Sequence, residues 1–158
     1  MKVETTRFGT IDIDDSKLIH FPKGIPGFEN IRRFFILPVE GSDDIHWLQA
    51  VEEPAVALLV IDPFTYFKGY VCDIPESEID ELEIKEPSET LILTTITIPP
   101  KNPHKATSNL VAPIVINTRT NKGKQVILQG SPYTTKHLLF PNAKPKPLTK
   151  KACCGEGA

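Results

Sequence analysis

Nothing in this chain of 158 residues marks a catalytic centre. No glycine-rich loop stands ready to cradle phosphate, and no serine sits in a Gly-x-Ser-x-Gly elbow. Ser42, Ser108 and Ser131 are nucleophiles by type alone, and closing turns is the role their hydroxyls most often take. The four histidines (His20, His46, His104, His137) and Cys72 are scattered singly, without the paired spacing of zinc ligands, so no metal or other cofactor is expected. Charge of one sign is also missing. Eighteen basic and 20 acidic side chains leave a formal charge of -2, without the basic excess that grips phosphate. No apolar run approaches the roughly 18 residues of a membrane span, and the polar start Met1-Lys-Val-Glu-Thr-Thr-Arg7 lacks the core of a signal peptide. Three cysteines, two of them adjacent at Cys153 and Cys154, form no disulfide framework and fit a reducing compartment. Together these point to a cytoplasmic, non-enzymatic domain with no membrane contact and no direct contact with nucleic acid.

Proline, by contrast, is plentiful. Fifteen prolines leave few windows for three helical turns, because each removes a backbone donor and clashes with the preceding turn. Between them lie runs rich in Ile, Val, Thr, Phe and Tyr, which suit pleated surfaces. The pattern predicts strands at Val3–Thr5, Thr10–Ile13, Leu18–His20, Phe34–Pro38, Trp47–Ala50, Ala55–Ile61, Tyr66–Tyr70, Thr90–Ile98, Val111–Ile116 and Lys124–Leu128. The last two read as a hairpin bent at Asn121-Lys-Gly123. The expected fold is mainly β: a small, closed or partly open antiparallel β-barrel-like domain with one or two short helices. Residues 1–140 form that domain, and 141–158, with almost nothing to bury, read as a flexible C-terminal tail. Gly24-Ile-Pro-Gly27 is a turn by its chemistry. A short surface helix is expected over Ser77–Ile84, with Ser77 as its cap and Ile79 and Leu82 on one face above Ile74.

Two neighbouring segments suggest a partner surface. From Asp73 to Glu86 there are seven acidic residues and one lysine, which is either a solvated helix face or a docking surface for a basic partner. Just before it, Phe64 to Tyr70 holds four aromatics, and on a strand Tyr66, Lys68 and Tyr70 would share one face. The candidate contact residues are therefore Tyr66, Lys68, Tyr70, Asp73, Glu76, Glu78 and Asp80. An oligonucleotide-binding barrel is the alternative, since paired aromatics suit base stacking, but the neighbours Asp62, Asp73, Glu76 and Glu78 are acidic.

Several segments, in order, resemble the FliW family of flagellar assembly factors. They are His20-Phe-Pro-Lys-Gly-Ile-Pro-Gly-Phe28, Phe34-Phe-Ile-Leu-Pro38, Pro63-Phe64 with Phe67-Lys68 and Tyr70, Ser108-Asn-Leu-Val-Ala-Pro-Ile-Val-Ile-Asn117, Gly123-Lys-Gln-Val-Ile-Leu128 and Tyr133-Thr-Thr-Lys-His137. The resemblance covers about residues 1 to 140 and implies a non-enzymatic cytoplasmic regulator with two partners. One is flagellin, held before secretion; the other is the RNA-binding translational repressor CsrA, whose block on flagellin synthesis is relieved without competing for the RNA site. The motif residues themselves are expected to be structural: Gly24, Pro26 and Gly27 in a turn, Asn109 and Asn117 on local backbone, and Pro113 at a strand edge or bulge. A groove for a flagellin helix is expected near Leu110-Val111 or Ile98-Pro-Pro100.

Overall fold

The computed structural model describes residues 1–140; the expected tail, 141–158, lies outside the described residues. The strands are β1 (Lys2–Thr5), β2 (Gly9–Asp12), β3 (Ile19–His20), β4 (Arg33–Pro38), β5 (Ile45–Ala50) and β6 (Ala57–Ile61). After two short helices, α1 (Pro63–Tyr66) and α2 (Glu76–Glu81), come β7 (Thr90–Thr97), β8 (Thr107–Ser108), β9 (Ile114–Asn117), β10 (Lys122–Gln125) and β11 (His137–Leu138). The order β7-β6-β5-β4-β3-β10-β9 returns to β7 through the β7–β9 pairing, so the main sheet closes into a ring. The mainly β architecture is as expected. Its ring pairings are antiparallel except at β3–β10, where His20 meets Lys122 in parallel and the His20 N–H donates to the Asn121 carbonyl at 2.8 Å.

Alternation along the strands sorts side chains to the two faces of the ring. Phe34, Leu48, Ala50, Val60, Leu93, Ile114 and Ile116 pack together with Phe21 and Ile25 as the main core. On the opposite face Phe35 joins Val3 and Leu18 beneath the β1–β2 hairpin. Elsewhere on that face Val115 lies with Val126 and Leu128 against Tyr70, Leu82 and Leu110. A Leu, Ile or Phe this deeply buried contributes about 1.5–3 kcal/mol. The segment 67–84 is thus a strap, held on by its own apolar residues.

Strands β8 and β9 are one line broken by an excursion. Both run antiparallel to β7, yet the five residues 109–113 lie opposite only Thr94 and Thr95. The excursion is stitched on every side. Asn109 Oδ1 accepts from Ala112 N–H at 3.1 Å, while the Leu110, Val126 and Leu128 N–H groups donate to Thr134, Pro113 and Val111 carbonyls. Pro113 therefore sits at a bulge, where its missing N–H costs nothing.

Four local expectations are corrected. Tyr66–Tyr70 is no strand: Asp62 accepts from Phe64 N–H at 2.9 Å and caps α1, with Pro63 in its first turn. Helix α2 starts at Glu76 behind Pro75, so Ser77 lies inside it and does not cap it. The β9–β10 bend falls at 118–121, with Asn121 at φ 59°, and Gly123 is a strand residue beside Ile116. Strands β8 and β11 were not foreseen.

Candidate functional site

The strap carries the charged surface that the sequence singled out, and the ring beneath it supplies counter-charges. Lys124 on β10 reaches Glu78 at 2.5 Å and Glu81 at 3.1 Å, Lys122 reaches Glu83 at 2.8 Å, and Lys23 reaches Glu81 at 3.0 Å. Alternation places Lys122 and Lys124 on one face of β10, directly under α2. Glu78, Glu81 and Glu83 thereby fasten the strap. Asp73, Glu76, Asp80 and Glu86 are exposed and enter no ion pair among the described residues. Of the seven acidic residues, these four are left outside the ion pairs, and of them Glu86 accepts from backbone as a cap of the turn at Pro87–Glu89.

The charge network leaves a pH signature. Hydrogen bonds from Lys23 and Lys124 lower Glu81, and those from Lys122 lower Glu83, both below the usual glutamate value of 4.5. Desolvation pulls Lys124 down, but its bonds to Glu78 and Glu81 outweigh it and the lysine is raised. Carboxylates lowered on folding stabilise the fold above the unfolded value and lose that contribution as pH falls through the folded one. Lys124→Met should therefore shrink the drop in melting temperature between about pH 5 and pH 3, measured by circular dichroism. Some drop remains, because Lys23 still holds Glu81 and Lys122 still holds Glu83. An unchanged pH profile would mean that Lys124 does not stabilise the strap.

The seven candidate contact residues do not form one face. Tyr70 is 5% exposed, and its hydroxyl donates to the Leu110 carbonyl at 2.8 Å. Its ring packs on Tyr133 at 4.8 Å and on Phe64 at 5.4 Å. Burial pushes its hydroxyl well above the usual tyrosine value. Tyr70 thus ties the strap to the bulge. Tyr66 ends α1 with its ring edge-on to Phe140 at 6.3 Å, and burial, then Asp44, raises its hydroxyl. Lys68 is exposed in the following turn, Glu78 is half-buried on Lys124, and Asp73, Glu76 and Asp80 face solvent. Sequence reasoning passed over Phe64 and Val71, exposed by 45% and 63%.

Beside these residues lies a groove of about 590 Å³ between α1, α2 and β7, floored by Cys72, Ile74, Ile79 and Leu91. Asp62, Asp73 and Glu86 line its rim. Burial pushes the Cys72 thiol up to about 11, so it is a packing group and no ready nucleophile. A second hollow, of about 530 Å³, lies between Phe28, Trp47, Ile96 and Ile127. Over Trp47 the Arg7 guanidinium stacks at 4.3 Å.

The three candidate serines and His137 have local employment, whereas the buried His104 Nε2 has no hydrogen-bond partner among the described residues. Ser42 and Ser131 close turns, whereas Ser108, contrary to expectation, is buried in β8 and donates to Thr94 Oγ1 or the Thr95 carbonyl. His137 accepts from Thr134 N–H at 2.8 Å. Among the described residues no three His, Cys, Asp or Glu side chains gather as metal ligands, and no helix is long and apolar enough to cross a membrane. Asn109 bonds local backbone, but Asn117 also reaches the strap, as its Nδ2 donates to the Leu82 and Glu83 carbonyls.

The ring, the bulge and the strap use the segments that carried the family resemblance, and residues 2–139 match the family model described as FliW protein. The chain belongs to the FliW family. It is 47% identical over 140 residues to the flagellar assembly factor FliW of Moorella thermoacetica, covering 89% of each chain. With that of Pseudothermotoga lettingae it shares 42% over 134 residues, 85% of each. A solved structure titled "Crystal structure of the flagellar assembly factor FliW" superposes with a TM-score of 0.83 at 36% identity, covering 89% of this chain and 98% of that one. FliW is a family of flagellar assembly factors and is not known as a family of enzymes.

Proposed function

We propose that this FliW chain is a cytoplasmic partner switch that acts by binding and not by catalysis: it holds flagellin before secretion, and it binds CsrA and relieves CsrA's repression of flagellin synthesis. The supporting observation is the strap: acidic groups left exposed on a segment whose other carboxylates are fastened to the ring. Such a surface arrives pre-ordered, so a basic partner pays little entropy for it. Its charge also acts beyond contact, over the roughly 8 Å Debye length of physiological salt. RNA phosphates near a bound CsrA would be repelled although their site stays open. The same charge disfavours the reading as an oligonucleotide-binding barrel.

The contact set proposed for CsrA is Asp73, Glu76 and Asp80, with Tyr66 and Lys68 at its margin; Tyr70 and Glu78 act by holding the strap in place. Changing Asp73, Glu76 and Asp80 together to Lys should weaken CsrA binding about 10-fold or more, with melting temperature and flagellin affinity kept. Isothermal titration with each purified partner measures this, and unchanged CsrA affinity would place the contact elsewhere. For flagellin, the expected neighbourhood of Ile98 is the better of the two considered. Ile98 is 39% exposed next to the Trp47–Ile127 hollow, whereas Leu110 is 2% exposed. An amphipathic helix is the occupant proposed there. A competition titration completes the test: flagellin should release CsrA, and failure to bind either partner would overturn the proposal.

A further inference from the structure

The second hollow combines an apolar lining with a single charge. Phe28, Trp47, Leu58, Ile96 and Ile127 surround about 530 Å³, and Arg7 is the one charged side chain lining it among the described residues. Ligand sites commonly have this make-up, an apolar wall with a few placed polar groups that fix orientation. The backbone that carries Arg7 is pinned. Thr5 closes the turn between β1 and β2, its Oγ1 accepting from Phe8 N–H at 2.9 Å and donating to the Gly9 carbonyl at 2.8 Å. Thr6 N–H donates to the Pro54 carbonyl at 2.9 Å. The guanidinium then lies over Trp47 at 4.3 Å, with Phe8 edge-on to the same ring at 6.4 Å. Stacking uses the face of a guanidinium and leaves its in-plane N–H donors open. No acid pairs with Arg7 among the described residues.

We propose that Arg7 is the specificity-determining residue of the flagellin site, and that it receives a carboxylate carried on the flank of the docked amphipathic helix. The inference rests on the flagellin reading and adds the chemistry by which the hollow selects one helix over another. Shape and charge each supply half of the match. Ile127, 56% exposed, and the walls beside it take apolar side chains that share one helix face. The guanidinium fork takes both oxygens of a carboxylate. Because stacking on Trp47 already orders the arginine, little side-chain freedom is lost when the pair forms. A helix whose flank is basic would instead bring like charge against Arg7 and be rejected.

The test is isothermal titration of monomeric flagellin into the full chain and its variants Arg7→Gln, Arg7→Glu, Arg7→Lys and Ile127→Ser. Arg7→Gln should weaken binding about 10-fold. Arg7→Glu should weaken it further, because it sets like charges together. Arg7→Lys should fall between wild type and Arg7→Gln, since it keeps the charge without the fork. Ile127→Ser should weaken binding by removing apolar contact, and all four variants, changed at exposed positions, should keep their melting temperature within a few degrees. The gap between wild type and Arg7→Gln should narrow from about 50 mM to about 0.5 M salt, as screening shortens the reach of charge. Equal affinities for wild type, Arg7→Gln and Arg7→Glu would overturn this proposal and leave the flagellin reading standing. Absence of binding to wild type would remove both. Loss at Arg7 with none in Ile127→Ser would place the carboxylate outside the hollow and overturn the proposal. So would binding of a single-stranded RNA oligonucleotide that Arg7→Gln abolishes, since the fork would then serve phosphate.

Discussion

Gly24→Ala is expected to destabilise the chain by about 2–4 kcal/mol, a fall in melting temperature on the order of 10 °C. Two costs combine. Gly24 sits at φ 67°, where an L side chain crowds its own carbonyl. A Cβ there would also lie 2.7 Å from the Glu29 Cα and carbonyl oxygen, atoms that cannot swing away as a side-chain tip could. The turn cannot easily relax, because it is pinned at several points. Gly24 N–H donates to the Phe21 carbonyl at 2.8 Å, Phe28 N–H donates to Ile25, and Glu29 Oε2 accepts from Gly27 N–H at 3.1 Å. That last bond is also the main reason the Glu29 carboxyl sits below its usual value. Since Phe21 and Ile25 belong to the main core, displacing the turn loosens the ring itself.

Gly27→Ala separates the two costs. Gly27 is also at positive φ, 92°, but nothing lies within 4 Å of a Cβ built there. Only backbone strain applies, about 1 kcal/mol. Chemical denaturation of the two variants should therefore differ by at least about 1 kcal/mol, the overpacking term alone. Equal losses would show that the approach to Glu29 relaxes freely.

The same turn illustrates what the sequence could and could not disclose. Gly24-Ile-Pro-Gly27 is legible because φ demands are local and written in residue type. Most ring strands are legible for a related reason: runs rich in Ile, Val, Leu, Phe and Thr along β4, β6 and β7 suit a pleated backbone. At 66–70 alternation misled. Tyr66, Lys68 and Tyr70 repeat with the period of a strand, yet the stronger signal was Asp62-Pro63, which caps and opens a helical turn. Periodicity describes how side chains would sort if the backbone were extended; capping chemistry decides whether it is. Strands β8 and β11 hold two residues each, too few for any period. The strap's fastenings were out of reach, because Lys124 lies over 40 residues from Glu78 and Glu81 and nothing local to either announces the pairing. Counting acids from Asp73 to Glu86 thus overstated the free charge. Which carboxylates stay unpaired depends on the ring closing first.

Asn117→Ala tests the fastening that is not electrostatic, with an expected cost of about 2–4 kcal/mol. Asn117 is fully buried at the end of β9. Its Nδ2 donates to the Leu82 carbonyl at 2.8 Å and to the Glu83 carbonyl at 3.1 Å, while Oδ1 accepts from Arg119 N–H at 2.9 Å. One amide therefore satisfies the orphaned carbonyls where α2 ends and also holds the turn into β10. Alanine leaves buried polar groups unpaired at both places, which costs more than the bonds themselves were worth net. Asn117→Asp isolates the strap. It keeps the acceptor for Arg119 but sets a carboxylate oxygen against two carbonyls, so the strap should loosen while the turn survives. Hydrogen exchange gives the reading: Leu82 and Ile84 amides, which donate to Glu78 and Ile79 carbonyls, should lose more protection in Asn117→Asp than the Leu48 amide. If all three fall equally, strap and ring unfold as one unit and Asn117 is no separate clamp. If the strap alone loosens, the contact proposed for CsrA gains a test of pre-ordering: the charges on Asp73, Glu76 and Asp80 are unchanged, so under that proposal a weakened affinity would measure the entropy of holding them in place.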